Sequence, residues 1–386
     1  MANQDPAVLE AVKASGESTL DRATARAQEK IDHLLNVSLN IAVTGRSGSG
    51  KSSFVNVILG LSENDNGAAP TGVTETTTEL NMYVHPTMPN VNIWDLPGIG
   101  TPNFKANKYL KDVKFKTYDF FIIFNSERFT ENDIMLAKAI RKQKKMFYFV
   151  RSKIDIDISS EQRKDTFNEQ DVLYTIRKYC QDNLNEIGCP KVFLMSSVDF
   201  EKYDFEMLQN TILDDIPVHK RAALLQAWPV YSAAGLEKKI KIFKGLIWAA
   251  SLASAGIAVV PVPGTTVAGD AAIALLFLSR CYYAFGLDDR SLKRLSEKVN
   301  MPLLEYRSKS KLANAIQKNA VTTIHVCAAV VTLSTIADLF SLLPGVGSVC
   351  AAGLSFASTQ YLLREGLNEL ANTAREIIKV AGLDTI

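Results

Sequence analysis

LNIAVTGRSGSGKSSFVNVILG, residues 39–60, decides the fold. Its centre, GRSGSGKS (45–52), has the form Gly-x-x-x-x-Gly-Lys-Ser, with an apolar run before it and the helical pattern SSFVNVILG after it. Strand, glycine-rich loop, helix is the order in which backbone N–H groups can curl around phosphate oxygens at a helix N-terminus. Gly45, Gly48 and Gly50 let the loop curl, and Arg46, Ser47, Ser49 and Ser53 complete the nucleotide-binding stretch. Lys51 can reach terminal phosphates, and the Ser52 hydroxyl can hold Mg²⁺. The bland alternative is a glycine-rich surface turn; the flanking strand and helix argue against it.

The rhythm of the following residues agrees. Short β-rich runs, LNMYVHP (80–86), NVNIWDL (90–96), DFFIIFN (119–125), MFYFVRS (146–152) and VFLMSS (192–197), alternate with helical patterns such as ENDIMLAKAIRKQKK (131–145). That alternation predicts an α/β fold, a mostly parallel six-stranded sheet with helices on both faces. The runs at 120–124 and 146–150 are almost continuously apolar, as strands covered on both faces should be.

Three further motifs follow in order. DLPG (95–98) places Asp95 to hold Mg²⁺ through water and the Gly98 N–H to meet a γ-phosphate. SKID (152–155) is a variant of Asn-Lys-x-Asp with serine first. The Asp155 carboxylate can accept the guanine N1–H and 2-amino group, a pair adenine lacks, while Lys153 lies along the base. Ser196 and Ser197 can bring a backbone contact to guanine O6. The predicted cofactors are therefore GTP or GDP with Mg²⁺. Between loop and Asp95 lies PTGVTETTT (70–78). A switch I loop needs one threonine on Mg²⁺ and the γ-phosphate. Thr71, beside Gly72, is the expected one, though spacing alone does not separate it from Thr74, Thr76, Thr77 and Thr78. One position is discordant. Small GTPases of the Ras kind carry a water-orienting glutamine after the Asp-x-x-Gly glycine, and Ile99 stands here.

Composition bounds the rest. The chain has 386 residues, 47% hydrophobic and 22% charged, which suits a globular protein of two domains. A formal net charge of +2 gives no reason to expect a nucleic-acid partner. Five scattered cysteines suit a reducing compartment. MANQDPAVLE lacks a signal-peptide core, Ala2 stands where myristoylation needs glycine, and GLDTI offers no prenylation cysteine. A cytoplasmic protein is expected, with any membrane contact made by the polypeptide itself or a palmitoyl group.

After Pro217 no strand pattern returns. Residues 1–36 read as helices, 37–217 as the G domain, and 218–386 as a helical part with two apolar hairpins, 245–283 and 321–363. Residues 245–269 and 339–363 contain no charged side chain, and each is broken by proline and glycine, at 261–264 and 344–345. Each spans 25 residues, where about 20 unbroken ones cross a bilayer. Buried bundle core, a membrane-inserting hairpin and a transmembrane pair all compete. Residues 362–383 have apolar side chains at helical spacing and a polar back face, which predicts docking on the helical domain.

TGRSGSGKSSFVN, GAAPTGVTETT, PNVNIWDLPGIGT, YDFFIIFNSERFTENDIMLAKAI and FYFVRSKID together resemble the immunity-related GTPases. The likeness is strong over 37–221 and looser through FGLDD (285–289). It implies a dynamin-like protein with a Ras-like P-loop G domain, flanked by an all-α helical domain formed from both chain ends. It further implies GTP-dependent self-assembly, related GTPases as possible partners, and action at intracellular membranes around pathogens. Lys51 aligns the chain with the Gly-Lys-Ser class, which resemble effectors more than regulators. Glu75 matches a switch I glutamate implicated in hydrolysis between facing G domains; a solvated glutamate on a strand edge is the alternative. Hydrolysis slow in the monomer and completed across a dimer would reconcile Ile99 with catalysis. The rival expectations are a GTP-binding scaffold with negligible turnover and an ATP-using phosphotransferase, against which Asp155 argues.

Overall fold

The computed structural model describes residues 37–72, 79–99, 106–188, 190–196, 198–199, 202–258, 265–318 and 347–384, with Arg22 and Ala25. The expected helices of 1–36 and the proline-glycine turns at 261–264 and 344–345 lie outside them. The chain divides into two compact units, one spanning Ser38–Trp228 and another that contains Pro229–Ile386.

In the first unit the strands are β1 (Leu39–Gly45), β2 (Asn81–His85), β3 (Met88–Asp95), β4 (Phe120–Asn125), β5 (Met146–Arg151) and β6 (Val192–Leu194). They form a six-stranded sheet in the order β2-β3-β1-β4-β5-β6. Only β2 runs antiparallel to its neighbour, β3; the other pairings are parallel. The helices between them are α1 (Lys51–Leu59), α2 (Ala106–Asp112), α3 (Glu131–Lys142), α4 (Ile154–Glu161), α5 (Glu169–Leu184), α6 (Phe205–Asp215) and α7 (Val218–Ala227). This is the mostly parallel α/β architecture that the alternating pattern predicts, in the Ras-like form that the resemblance implies. All six residues of β4 are buried, because helices cover both faces of the central strands. On one face Phe121, Ile123, Leu136 and Phe149 pack with Leu96 and Ile99. Parallel strands end together, so the carboxyl ends of β1, β3, β4, β5 and β6 bring Gly45, Asp95, Asn125, Ser152 and Met195 to one rim. β1 is the switch point, flanked by β3 and β4, and open α/β sheets bind ligands there.

One boundary needs correction. The sheet unit was expected to end at residue 217, but it continues through α7 to Trp228. The reason is packing. Ala223, Leu224, Leu225 and Ala227 are buried, and the Trp228 ring meets Phe54 at 6.1 Å and Phe205 at 5.1 Å. A helix following the last strand carries no mark in sequence of which unit it covers.

The second unit is helical: α8 (Ala233–Ala258), α9 (Thr265–Ala284), α10 (Asp289–Val299), α11 (Leu304–Ser308), α12 (Lys311–Lys318) and α13 (Gly347–Val380). α8 and α13, which carry much of the two uncharged stretches, share a seam of small residues. In it the Ser254 hydroxyl meets those of Ser355 (2.6 Å) and Thr359 (2.9 Å), all three wholly buried. Gly366 lets α13 approach α9, since a Cβ there would lie 2.7 Å from a Leu278 methyl. Leu363, Leu367, Leu370, Ala374, Ile377 and Ile378 are buried, the docked apolar face expected of the last helix. Among the described residues no helix is long and apolar enough to cross a membrane.

Candidate functional site

The loop between β1 and α1 owes its shape to three glycines. Gly45 has φ 134°, and a Cβ on it would sit 2.0 Å from the Phe124 carbonyl oxygen, so only glycine fits beside β4. Gly48 and Gly50 also have positive φ. Ser47 and Gly48 are exposed at the loop's crest, Gly50 caps α1, and Ser53 is half-buried in its first turn. The loop is braced from inside. The Ser49 hydroxyl and the Lys51 ammonium both donate to the Arg46 carbonyl, at 2.8 and 2.9 Å. Lys51 is only 5% exposed, so its charge is held inside the curl of the loop. The Arg46 side chain leans outward to Glu127 at 3.2 Å, an exposed pair that contributes little to stability.

Two oxygen groups meet under the loop. The Ser52 hydroxyl donates to the Asp95 carboxylate at 2.7 Å, joining the first turn of α1 to the end of β3. Asp95 is fully buried. A hydroxyl and a carboxylate are hard oxygen donors of the kind Mg²⁺ takes, and these two are adjacent. From Asp95 the chain runs along β1, with Leu96 N–H donating to Val43 and Ile99 N–H to Gly45. Gly98 is half-buried between these anchors. The Ile99 side chain is wholly enclosed in the core, and its carbonyl accepts from Asn132. The discordant residue therefore does not face the site at all.

The SKID turn is tied to the loop by its variant residue. Ser152 Oγ donates to the Ser49 carbonyl at 2.6 Å, with a weaker approach to Asn125 O at 3.3 Å, and its N–H donates to Asn125 O. Serine thus joins the base-side turn to the phosphate loop across 103 residues. Lys153 adopts left-handed φ 58° and opens α4, its carbonyl accepting from Ile156 and Asp157. Arg151 holds Asp157 at 2.6 Å. Burial raises the Asp157 carboxyl above its usual range; Arg151 opposes this and the nearby Asp155 adds to it. Asp155 is half-buried, and its Oδ1 is buried without a hydrogen-bond partner among the described residues. A buried carboxylate oxygen left unpaired is costly, and a ligand that donates to it removes the cost.

The remaining predicted residues fall as follows. Ser196 is buried, and its hydroxyl accepts from Val198 and Asp199, so its side chain shapes the β6 loop. That loop is also fixed by Asp204, which pairs with Arg177 and accepts from Leu194 N–H, both at 2.7 Å. Thr71 is half-buried and Gly72 exposed. Glu75, Ser197, Thr74, Thr76, Thr77 and Thr78 lie outside the described residues. Further residues not foreseen from sequence complete the frame. Asn56 clamps Ala69 through both its amide atoms, at 2.9 and 2.6 Å, anchoring the start of the threonine-rich stretch to α1. Asn125 donates to Asp133, which Thr130 also caps; burial nevertheless leaves the Asp133 carboxyl raised. Tyr109 bonds both Thr44 and Pro97.

Comparison with known proteins identifies the family. The family model described as Interferon-inducible GTPase (IIGP) matches residues 6–381. Rat Interferon-inducible GTPase 5 is 37% identical over 376 residues, 96% of this chain and 81% of its own length. Mouse Interferon-gamma-inducible GTPase 10 is 35% identical over 88% of this chain and 81% of its own. Mouse Interferon-inducible GTPase 1 is 43% identical over 67% and 63% respectively. With a family match across nearly its whole length, the chain belongs to the interferon-inducible GTPases.

Proposed function

We propose that this chain binds GTP and GDP with Mg²⁺ and hydrolyses GTP, slowly as an isolated chain and faster when two copies face one another across their nucleotides. The observation that carries the guanine assignment is the Asp155 Oδ1, buried and unpaired on a turn that Ser152 fixes to the phosphate loop. The N1–H and 2-amino donors of guanine answer such a carboxylate.

In this reading the backbone amides of 46–52 enclose the phosphates, and Lys51 moves from the Arg46 carbonyl to the terminal phosphate oxygens. Ser52 and Asp95 would hold Mg²⁺, which supplies positive charge to the phosphate oxygens as the leaving group departs. The Gly98 N–H meets the γ-phosphate. Ile99, buried in the core, orients nothing. The water must therefore be placed by another group, and a second copy is proposed to order the switch so that Glu75 does it, with Thr71 on Mg²⁺ and Gly72 at the nucleotide. In-line positioning and fixed charge carry most of phosphoryl transfer, so this late assembly is enough. The burial of Ile99 equally supports a second reading, a GTP-binding scaffold with negligible turnover.

Action at intracellular membranes is also proposed, on the strength of the two uncharged stretches. The packed α8–α13 seam means that such contact needs the helical unit to open, and liposome retention only in the triphosphate state is its test. The nucleotide assignment is tested by fluorescence titration of guanine and adenine nucleotides with Mg²⁺. Loss of two hydrogen bonds to a carboxylate predicts a guanine preference on the order of 100-fold or more. Equal affinities would contradict it.

A further inference from the structure

The Pro97–Gly98 peptide is held in an unusual way. Its neighbours are fixed by backbone bonds to β1, Leu96 N–H to Val43 O at 2.9 Å and Ile99 N–H to Gly45 O at 3.2 Å. Between them, the Pro97 carbonyl turns away from the strand and accepts from the Tyr109 hydroxyl at 3.0 Å. That hydroxyl lies 2.7 Å from Thr44 Oγ1. A carbonyl can only accept, so the single Tyr109 proton goes to Pro97, and Thr44 donates its own to Tyr109. The relay runs Thr44 to Tyr109 to Pro97, and Thr44 is fully buried in the strand that feeds the phosphate loop. Burial pushes the Tyr109 phenol well above its usual range, so it stays a donor at every physiological pH.

Carbonyl and N–H of one trans peptide lie in a plane and point to opposite sides. No cis peptide occurs among the described residues, so whatever fixes the Pro97 oxygen also fixes the aim of the Gly98 N–H. We propose that Tyr109 is a positioning residue that aims the Gly98 N–H and thereby sets the site's preference for a nucleoside triphosphate over the diphosphate. This rests on the reading that Gly98 meets the terminal phosphate. Without the hydroxyl the peptide is free to rotate between its two anchors, and only a ligand carrying a γ-phosphate feels the difference.

The test is titration of the full chain, with Mg²⁺, by GDP and by a non-hydrolysable GTP analogue, for wild type, Tyr109→Phe and Thr44→Val. Loss of one neutral hydrogen bond predicts that Tyr109→Phe weakens the analogue roughly 2- to 10-fold and leaves GDP within about twofold. Thr44→Val should shift the same ratio less, in the same direction. An unchanged ratio overturns the proposal, whether neither nucleotide is affected or both weaken equally. If Tyr109→Phe does not fold, the ratio in Thr44→Val decides. Wild type that binds no guanine nucleotide overturns the functional reading itself, and this proposal with it.

Discussion

Ile99 stands where a Ras-type site carries its glutamine, and its side chain is 0% exposed among Leu96, Phe121 and Leu136. Restoring the glutamine therefore cannot restore the function. Ile99→Gln is expected to destabilise the G domain by roughly 1–3 kcal/mol, the cost of burying an unpartnered amide. It should leave GTP turnover no faster than wild type; a melting curve and single-turnover hydrolysis check both, and a faster variant with an unchanged melt would refute the packing argument. The motif residues were legible because their chemistry is local. Gly45, Lys51 and Ser52 share one octapeptide, and Asp155 announces its role by type and order. Ser152, Asn56 and Tyr109 were not legible. Each acts through a partner elsewhere in the chain, Ser49, Ala69 or Pro97, and residue type alone does not name that partner, even for Ser152 in its variant motif.

Secondary elements follow the sequence pattern closely in the sheet unit and less so beyond it. The β4 run is apolar without interruption and becomes the fully buried central strand. Helix α7 packs in the sheet unit, although its apolar face fits either unit by pattern alone; Trp228 closing on Phe54 decides it. In the helical unit the sequence leaves three readings of the uncharged stretches open, and the described part of α8 packs against α13; the same helix also buries a charge that its pattern does not announce. Lys239 is 2% exposed and donates to the Ala284 carbonyl at the end of α9, at 2.6 Å. Burial brings its pKa down from 10.5 to about 7. Between those values the unfolded chain binds a proton that the folded chain does not, so stability rises as pH climbs from 7 toward 10 and is reduced below 7. Wild type should accordingly gain stability relative to Lys239→Met between pH 7 and 9 in parallel urea melts. A difference between the two that is flat in pH would contradict a lysine neutral in the folded state.

At the scale of the whole molecule, the chain has an α/β unit with its candidate site at the strand ends and a helical unit in which the described parts of α8 and α13 form a seam. In the proposed reading the rim would supply phosphate, metal and base contacts from one chain. Position 99 offers no side chain to orient water, so completion of catalysis is proposed to fall to a second copy. The measurement that tests this most directly is GTP turnover per molecule across a wide range of protein concentration, for wild type and Glu75→Ala. A specific rate that climbs with concentration in wild type and is blunted in the variant is the predicted result. A rate that stays flat and very slow despite tight GTP binding would contradict self-activation and leave the chain a nucleotide-dependent scaffold.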